Sequence, residues 1–504
     1  MQLDPDICYR AVVARDPRFD GRFFVAVCTT GIYCRPICPA RTPHRDHVTF
    51  YPTAAAAQEA GYRACLRCRP ETAPNVGAWR GTSNTVSRAL AMIESGALDE
   101  DDVEALADRV GVGGRQLRRL FQEHLGASPV AVAQTRRILL AKQLIHETGL
   151  SMTEVALAAG FGSVRRFNDI FRRLYRRPPR ALRRRGAARE GSALALTLAY
   201  RPPYDWDAIV GFLAARAIPG VESVTPSCYR RTFANGTIMV SHEPQRCRLR
   251  VAARLEDVGV LPLILPRVRR VFDLDADPEA IAFGLSGDPL LAPLLARRPG
   301  LRLPGAWDGF EMAVRAVIGQ QITVAGARGL LGKLVARCGA GVAGAGDGLG
   351  HVFPTPDRLA GTDLATLGMP HARARTIAAL AQSALADPTL FERGASLEEA
   401  VARLCAVPGI GDWTAHYIAI RALREPDAFP ASDVGLARAL ASGGVRPTPK
   451  AVAARAEAWR PWRAYAAQHL WTHDAAPASA RLERKIEAHA RKIAVADRNN
   501  SARL

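Results

Sequence analysis

Val407-Pro408-Gly409-Ile410-Gly411-Asp412-Trp413-Thr414-Ala415 sets two glycines around one apolar residue, with helix-forming sequence on either side. Two positions without a Cβ make a tight turn whose backbone N–H groups can approach a phosphate, and the N-terminus of the helix that follows adds partial positive charge. The pattern is a helix-hairpin-helix, which alone implies sequence-independent binding of a DNA backbone at Gly409 and Gly411. Twenty-two residues beyond Gly411, after Phe429-Pro430-Ala431-Ser432, stands a loop carboxylate, Asp433.

Around that stretch the chain runs to 504 residues, of which 48% are hydrophobic and 23% charged. This is ordered globular material, and a prior of about 150 residues per domain suggests roughly three domains. The formal net charge is +20, and residues 1–190 alone carry 30 basic and 19 acidic side chains. Almost all the basic residues are arginine, which suits bidentate contacts to phosphate and guanine. Both halves would be drawn to a polyanion. There is no run of 18 apolar residues, and the start MQLDPDICYR is acidic where a signal peptide would be basic and then apolar. The expectation is a cytoplasmic chain with no membrane partner.

Four of the ten cysteines form two tight pairs, Cys34-Arg-Pro-Ile-Cys38 and Cys65-Leu-Arg-Cys68, with 26 residues between them. Two short chelate loops around one small supersecondary unit suit a single four-thiolate zinc site. His44 and His47 lie between the pairs as alternative ligands, and a pair of merely buried thiol pairs is the blander reading. Cys8, Cys28, Cys228, Cys247, Cys338 and Cys405 read as ordinary core thiols.

From 83 to 185 the apolar spacing is helical. Val103-Glu104-Ala105-Leu106-Ala107, Gly111 and Gln116-Leu117-Arg118-Arg119-Leu120-Phe121 read as helix, turn and basic helix. Thr153-Glu154-Val155-Ala156, Gly160-Phe161 and Val164-Arg165-Arg166-Phe167-Asn168-Asp169-Ile170-Phe171 repeat the unit 50 residues later, leaving room for one linking helix over about 130–148. Arg115, Gln116, Arg165 and Arg166 are then candidate groove contacts. Past a Gly/Ala/Ser linker, the alternation Leu194-Ala195-Leu196-Thr197-Leu198 opens a mixed α/β region.

Three families resemble these segments. Thr29-Thr30-Gly31-Ile32-Tyr33-Cys34-Arg35-Pro36-Ile37-Cys38-Pro39-Ala40-Arg41 with Gly61-Tyr62-Arg63-Ala64-Cys65-Leu66-Arg67-Cys68 resembles the N-terminal domain of the Ada regulators. That resemblance implies that Cys34 is both a zinc ligand, with Cys38, Cys65 and Cys68, and the irreversible acceptor of a methyl group from a DNA methylphosphotriester. It also implies that Thr30, Arg35, Arg41 and Arg67 touch DNA, while Pro39 replaces one further arginine. Gly160-Phe161 and Phe167-x3-Phe171 resemble the AraC-type DNA-binding domain.

Tyr200-Arg201-Pro202-Pro203-Tyr204-Asp205-Trp206, Gly211-Phe212-Leu213-Ala214-Ala215-Arg216, Gly319-Gln320-Gln321, the hairpin, Asp433 and Trp459-Arg460-Pro461-Trp462 to Trp471 resemble 3-methyladenine DNA glycosylase II (AlkA), a helix-hairpin-helix glycosylase. The first two of these, 200–216, read as scaffolding. The likeness implies Asp433 as the catalytic carboxylate and Trp413, Tyr417 and Trp471 as pocket aromatics, although the same rings could be core. Gln321 stands where AlkA inserts a leucine into the vacated base stack. Trp413 occupies the position of the lysine used by strand-cutting relatives, so a monofunctional enzyme is implied. The last cysteine is Cys405, so no iron–sulfur cluster is expected, nor any organic cofactor. No Pro-Cys-His-Arg occurs, so reversal of O6-methylguanine is not expected.

The chain thus reads as multidomain: a small α/β zinc domain (1–75), an all-α double helix-turn-helix domain (83–185), an α+β domain (193–300) and an all-α helix-hairpin-helix glycosylase domain (301–495). The expected partners are alkylated double-stranded DNA, promoter DNA and RNA polymerase, met at the bacterial nucleoid. The rival reading is a transcription activator whose glycosylase half is a non-catalytic DNA clamp.

Overall fold

Asp4 caps the first helix, Pro5–Ala14, by accepting from the backbone N–H of Asp6 at 2.8 Å and of Ile7 at 3.2 Å. This computed structural model describes residues 4–74, 84–94, 96–100, 102–183, 193–342, 346, 348–393, 396–442 and 444–474. Most of the Gly/Ala/Ser linker and the stretch 475–495 of the expected glycosylase domain lie outside the described residues. Beside the first helix, β1 (Phe24–Val27), β2 (Ile32–Cys34), β3 (Val48–Tyr51) and β4 (Arg63–Ala64) form a sheet of order β3-β1-β2-β4. β2 and β4 run parallel with Tyr33 opposite Ala64. The next residue on each strand is a cysteine, so this pairing draws Cys34 and Cys65 together.

The helix-turn-helix units are Val103–Arg109 with Gly114–Leu125, and Met152–Ala158 with Val164–Tyr175. The helix Pro129–Glu147 joins them, close to its expected span. Each second helix has one buried stripe at helical spacing, Leu117, Phe121 and Leu125 in the first and Phe167, Ile170, Phe171 and Tyr175 in the second. Their arginines are left on the opposite, solvent face. Ser151 and Glu154 close a capping box at the start of the second unit.

β5 (Leu194–Ala199), β6 (Glu222–Val224), β7 (Cys228–Phe233), β8 (Gly236–Glu243) and β9 (Arg248–Leu255) make an antiparallel sheet of order β5-β9-β8-β7-β6. Leu194, Leu196 and Leu198 are buried in alternation along β5, as their spacing predicts. Their core does not stop at this sheet. Leu144, Ile145, Val155, Phe167 and Phe171 of the second helix-turn-helix unit belong to the same buried cluster as Leu196, Leu198, Tyr229, Leu249 and Val268.

A second large core is helical and includes Ile281, Leu285, Leu291 and Leu294 together with Ile318, Leu404, Ile418 and Leu470. It therefore reaches back across residue 301, because the helices Pro278–Leu285 and Leu291–Arg297 pack on the later helices. The stretch 339–350, nearly all Gly, Ala, Val and Asp, is tied down where it is described: the N–H of Gly350 donates to the carbonyl of Gly220 at 2.9 Å.

A buried chain of charges fastens the zinc module to the rest. The ammonium of Lys142, with no exposed side-chain surface, donates to the carbonyl of Cys65 at 2.8 Å and to Glu71 at 2.6 Å. Arg69 bridges Glu71 to Glu147, whose carboxylate accepts from the backbone N–H of Thr197 on β5 at 3.0 Å. Burial raises the carboxyl of Glu71, but His146, Lys142 and Arg69 outweigh that and hold it down to about 2.

Candidate functional site

The hairpin is built from the helices Leu397–Cys405 and Asp412–Ile418. Gly409 has φ +88°, and a Cβ there would lie 2.0 Å from Oγ1 of Thr376, so only glycine fits both the backbone and the neighbouring helix. Gly411 caps the second helix in an extended conformation, and both glycines are exposed. Gln320 ties the preceding loop to this turn by donating to Oγ1 of Thr414 at 3.0 Å, and Arg373 donates to its carbonyl. The next residue, Gln321, is exposed and takes a left-handed φ of 56°.

Asp433 caps the helix Val434–Ala439, and its Oδ1 accepts from the backbone N–H of Leu436 at 2.9 Å. Two indoles complete its shell. Nε1 of Trp413 donates to Oδ2 at 2.8 Å, and Nε1 of Trp471 donates to Oδ1. Trp413 stacks on Tyr417 with centroids 5.3 Å apart and planes 5° from parallel, while Tyr417 meets Trp471 edge-on at 6.1 Å. All three rings are partly exposed. The carboxylate is thus fixed in place by three donors.

Three neighbours were not singled out for this site from sequence. Arg421 lies behind the rings, with Cζ 5.3 Å from the centroid of Tyr417, 5.4 Å from Trp471 and 4.6 Å from Phe212. Arg216 covers the same Phe212 ring at 3.9 Å. Phe212 and Arg216 come from the helix Trp206–Arg216 of the α+β region, so that region contributes more than a scaffold. Burial alone would raise the phenol of Tyr417, yet the guanidiniums of Arg421 and Arg216 hold it below its ordinary value. The available signal was the spacing 413, 417, 421, one residue per helical turn on a single face.

At the other end of the chain, the sulfurs of Cys34, Cys38, Cys65 and Cys68 all lie within 4.8 Å of one another. Tetrahedral zinc needs sulfurs about 3.8 Å apart, so this set fits the ion. Neither His44 nor His47 joins the cluster. The backbone N–H groups of Arg35 and Arg67 donate to the sulfurs of Cys68 and Cys65 at 3.4 and 3.3 Å. Hydrogen bonding with Cys38 pushes the Cys34 thiol far up, while hydrogen bonding with Cys34 pulls Cys38 down to about 7 and Cys65 much further. Four thiols so close cannot all ionise unaided, which is the donor chemistry that calls for a divalent cation.

Thr30, Arg41 and Arg67 are exposed on the zinc module. Arg35 is not free in the same way. Its guanidinium pairs with both oxygens of Asp20 and donates to Oγ1 of Thr72 at 2.8 Å and to the carbonyl of Cys68. In this structure it braces the cysteine cluster instead of facing a phosphate. Arg115, Gln116, Arg165 and Arg166 are exposed on the second helices of their units. Among the remaining cysteines, Cys8 and Cys338 are buried, but Cys28 and Cys405 are exposed. That corrects the reading of all six as core thiols: Cys28 lies at the end of β1 and Cys405 at the end of its helix, where apolar packing runs out. No helix of the described residues is long and apolar enough to cross a membrane.

Four family descriptions match in succession. They are the metal binding domain of Ada over residues 7–71, a helix-turn-helix domain over 106–185, the AlkA N-terminal domain over 195–308, and the HhH-GPD superfamily base excision DNA repair protein over 314–464. The probable bifunctional transcriptional activator/DNA repair enzyme AlkA of Mycobacterium tuberculosis is 45% identical over 483 residues, covering 94% of this chain and 97% of that protein. DNA-3-methyladenine glycosylase 2 of Escherichia coli is 37% identical, over 55% of this chain and 96% of its own length. The bifunctional transcriptional activator/DNA repair enzyme Ada of Escherichia coli is 39% identical over 32% of this chain, which spans only 43% of that relative. Matched nearly end to end at 45% identity, and with both the thiol cluster and the hairpin site assembled, the chain belongs to the family of bifunctional transcriptional activator/DNA repair enzymes AlkA.

Proposed function

We propose that the C-terminal half is a monofunctional glycosylase that excises alkylated purines of the 3-methyladenine type from duplex DNA, with Asp433 as its catalytic carboxylate. The observation that carries this reading is the clamp on Asp433: two indole donors fix it beside the stacked rings of Trp413 and Tyr417. Alkylation at N3 or N7 makes a purine cationic and already a good leaving group. What remains is the positive charge that develops on the sugar as the glycosidic bond breaks, and Asp433 stabilises it while orienting or deprotonating the attacking water. The base is first extruded from the stack, and Trp413, Tyr417 and Trp471 hold the electron-poor ring. Gly409 and Gly411 hold the backbone beside the lesion, and Gln321, polar and less suited to displacing a base, stands where AlkA has its leucine wedge.

The N-terminal half is proposed as the sensor. Cys34, Cys38, Cys65 and Cys68 would hold one zinc ion, which when bound keeps the thiols ionised at neutral pH. Sγ of Cys34 then attacks the methyl carbon of a phosphotriester; the carbon–oxygen bond breaks and its electron pair leaves with the phosphate oxygen as a diester anion. Losing one negative charge from the cluster weakens its repulsion of the DNA backbone. Thr30, Arg41 and Arg67 hold the duplex, and Arg115, Gln116, Arg165 and Arg166 read promoter DNA in the major groove, where the bound protein engages RNA polymerase. No other cofactor enters this reading. The setting is the bacterial cytoplasm, at the nucleoid.

Free-base release from methylated duplex tests the enzyme: wild type active and Asp433→Asn inactive is the expected result, whereas equal release from both removes the catalytic assignment and leaves a DNA clamp. Mass spectrometry after exposure to methylphosphotriester DNA should find one added methyl on Cys34, and an unmodified Cys34 in zinc-loaded protein overturns the sensor.

A further inference from the structure

Arg421 is a costly residue to place where it is. Only 2% of its surface is exposed, and it donates to the carbonyl of Pro304 at 2.9 Å and to Oε1 of Gln468 at 3.0 Å. Its Nε–H is buried without a hydrogen-bond partner, and among the described residues no carboxylate forms a salt bridge with it. A buried cation without a salt bridge is destabilising unless something else compensates. Here the rings of Phe212, Tyr417 and Trp471 surround it, with centroids 4.6, 5.3 and 5.4 Å from Cζ. Tyr417 in turn stacks on Trp413, whose indole holds Asp433. A fixed cation and a fixed anion therefore bracket one aromatic stack.

We propose that Arg421 is an electrostatic positioning residue for base excision, whose positive charge behind the base pocket works together with the negative charge of Asp433 on the sugar side. This rests on the glycosylase reading given above. When the bond from C1′ to the base nitrogen breaks, its electron pair goes to the base. A cationic alkylpurine becomes neutral, a neutral purine becomes anionic, and in both cases one unit of positive charge passes to the sugar. A cation near the base disfavours the starting distribution of a charged lesion and favours the electron flow from either kind. Water then adds to the sugar and gives up its proton on the Asp433 side. The aromatic rings between Arg421 and the base keep the guanidinium out of direct contact while its field acts across their low-dielectric layer.

The test uses the full chain and duplexes carrying one N7-methylguanine, which is cationic, or one hypoxanthine, which is neutral. Arg421→Met is expected to slow single-turnover release of both bases about tenfold, and to lower KM for the N7-methylguanine duplex alone, because ground-state repulsion of that base is gone. A merely structural residue would raise KM or leave it unchanged for both. Arg421→Lys should recover most of the rate near neutral pH and then lose it as pH rises, since a lysine buried under these rings would shed its charge at a lower pH than the arginine, which burial pushes down to about 10. If Arg421→Met fails to fold, Arg421→Lys decides alone: a rate that falls with rising pH supports the inference, and one as flat as wild type overturns it. A folded Arg421→Met with wild-type rates, or with KM raised for both duplexes, also overturns it. Wild type that releases no base, or release that survives Asp433→Asn, fails the glycosylase reading instead.

Discussion

Trp471 donates its indole N–H to Oδ1 of Asp433 at 2.9 Å from 38 residues further along the chain. The bond gives this ring a role apart from any stacking on a substrate, and the two roles can be separated. Trp471→Phe keeps an aromatic face but removes the donor. Single-turnover base release should fall about tenfold, the scale of one lost hydrogen bond to a charged group, while binding to an abasic duplex changes little. Trp413→Phe should behave alike, and a variant at wild-type rate would show that the carboxylate needs no clamp.

Gly409→Ala should fail on two counts. The residue would have to adopt a positive φ and push its methyl into Thr376. A destabilisation of about 2–4 kcal/mol is expected, with loss of non-specific duplex binding. Gly411→Ala is the control for folding alone, since nothing lies within 4 Å of a Cβ there. Denaturant unfolding and fluorescence anisotropy on random duplex would measure both.

Lys142→Met leaves Glu71 buried without its ammonium partner. Breaking one side of a buried pair costs about 3–5 kcal/mol, so the full chain should show a markedly lower unfolding midpoint. The double variant Lys142→Met/Glu71→Gln should recover part of that loss, because no lone charge remains. A single variant as stable as wild type would mean the pair contributes nothing.

Burial pushes the imidazole of His469 down to about 4. In the unfolded chain this group protonates near 6.5, so stability is fully present above that pH and is lost as pH falls toward 4. At pH 5 the loss attributable to His469 is of order 1–2 kcal/mol. Melting curves at pH 7.5 and 5 should therefore show a smaller acid penalty for His469→Gln than for wild type, and equal penalties would remove this residue as the cause.

Periodicity was enough for the double helix-turn-helix, because the buried faces Leu117/Phe121/Leu125 and Phe167/Phe171 repeat at helical spacing. Alternation was enough for β5. Chelate spacing picked out the four sulfurs, since a loop of two or three residues can turn two side chains toward one point. What the sequence concealed is what depends on chain segments far apart meeting. Arg35 looked like a surface cation beside a reactive thiol, and its partner Asp20 could not be guessed from 15 residues away. Phe212 and Arg216 join the site from some 200 residues upstream of Tyr417, and no local pattern marks them. The helices Pro278–Leu285 and Leu291–Arg297 carry ordinary amphipathic sequence, so the core they would enter was undetermined until the fold brought the later helices against them.

The buried cluster that joins Phe167 and Phe171 to Leu196 and Tyr229 packs the second helix-turn-helix unit directly on the sheet. A flexible tether would let the unit and the sheet move independently; a common interior makes them one piece, so whatever turns the second helix-turn-helix unit on a duplex turns the five-stranded sheet with it.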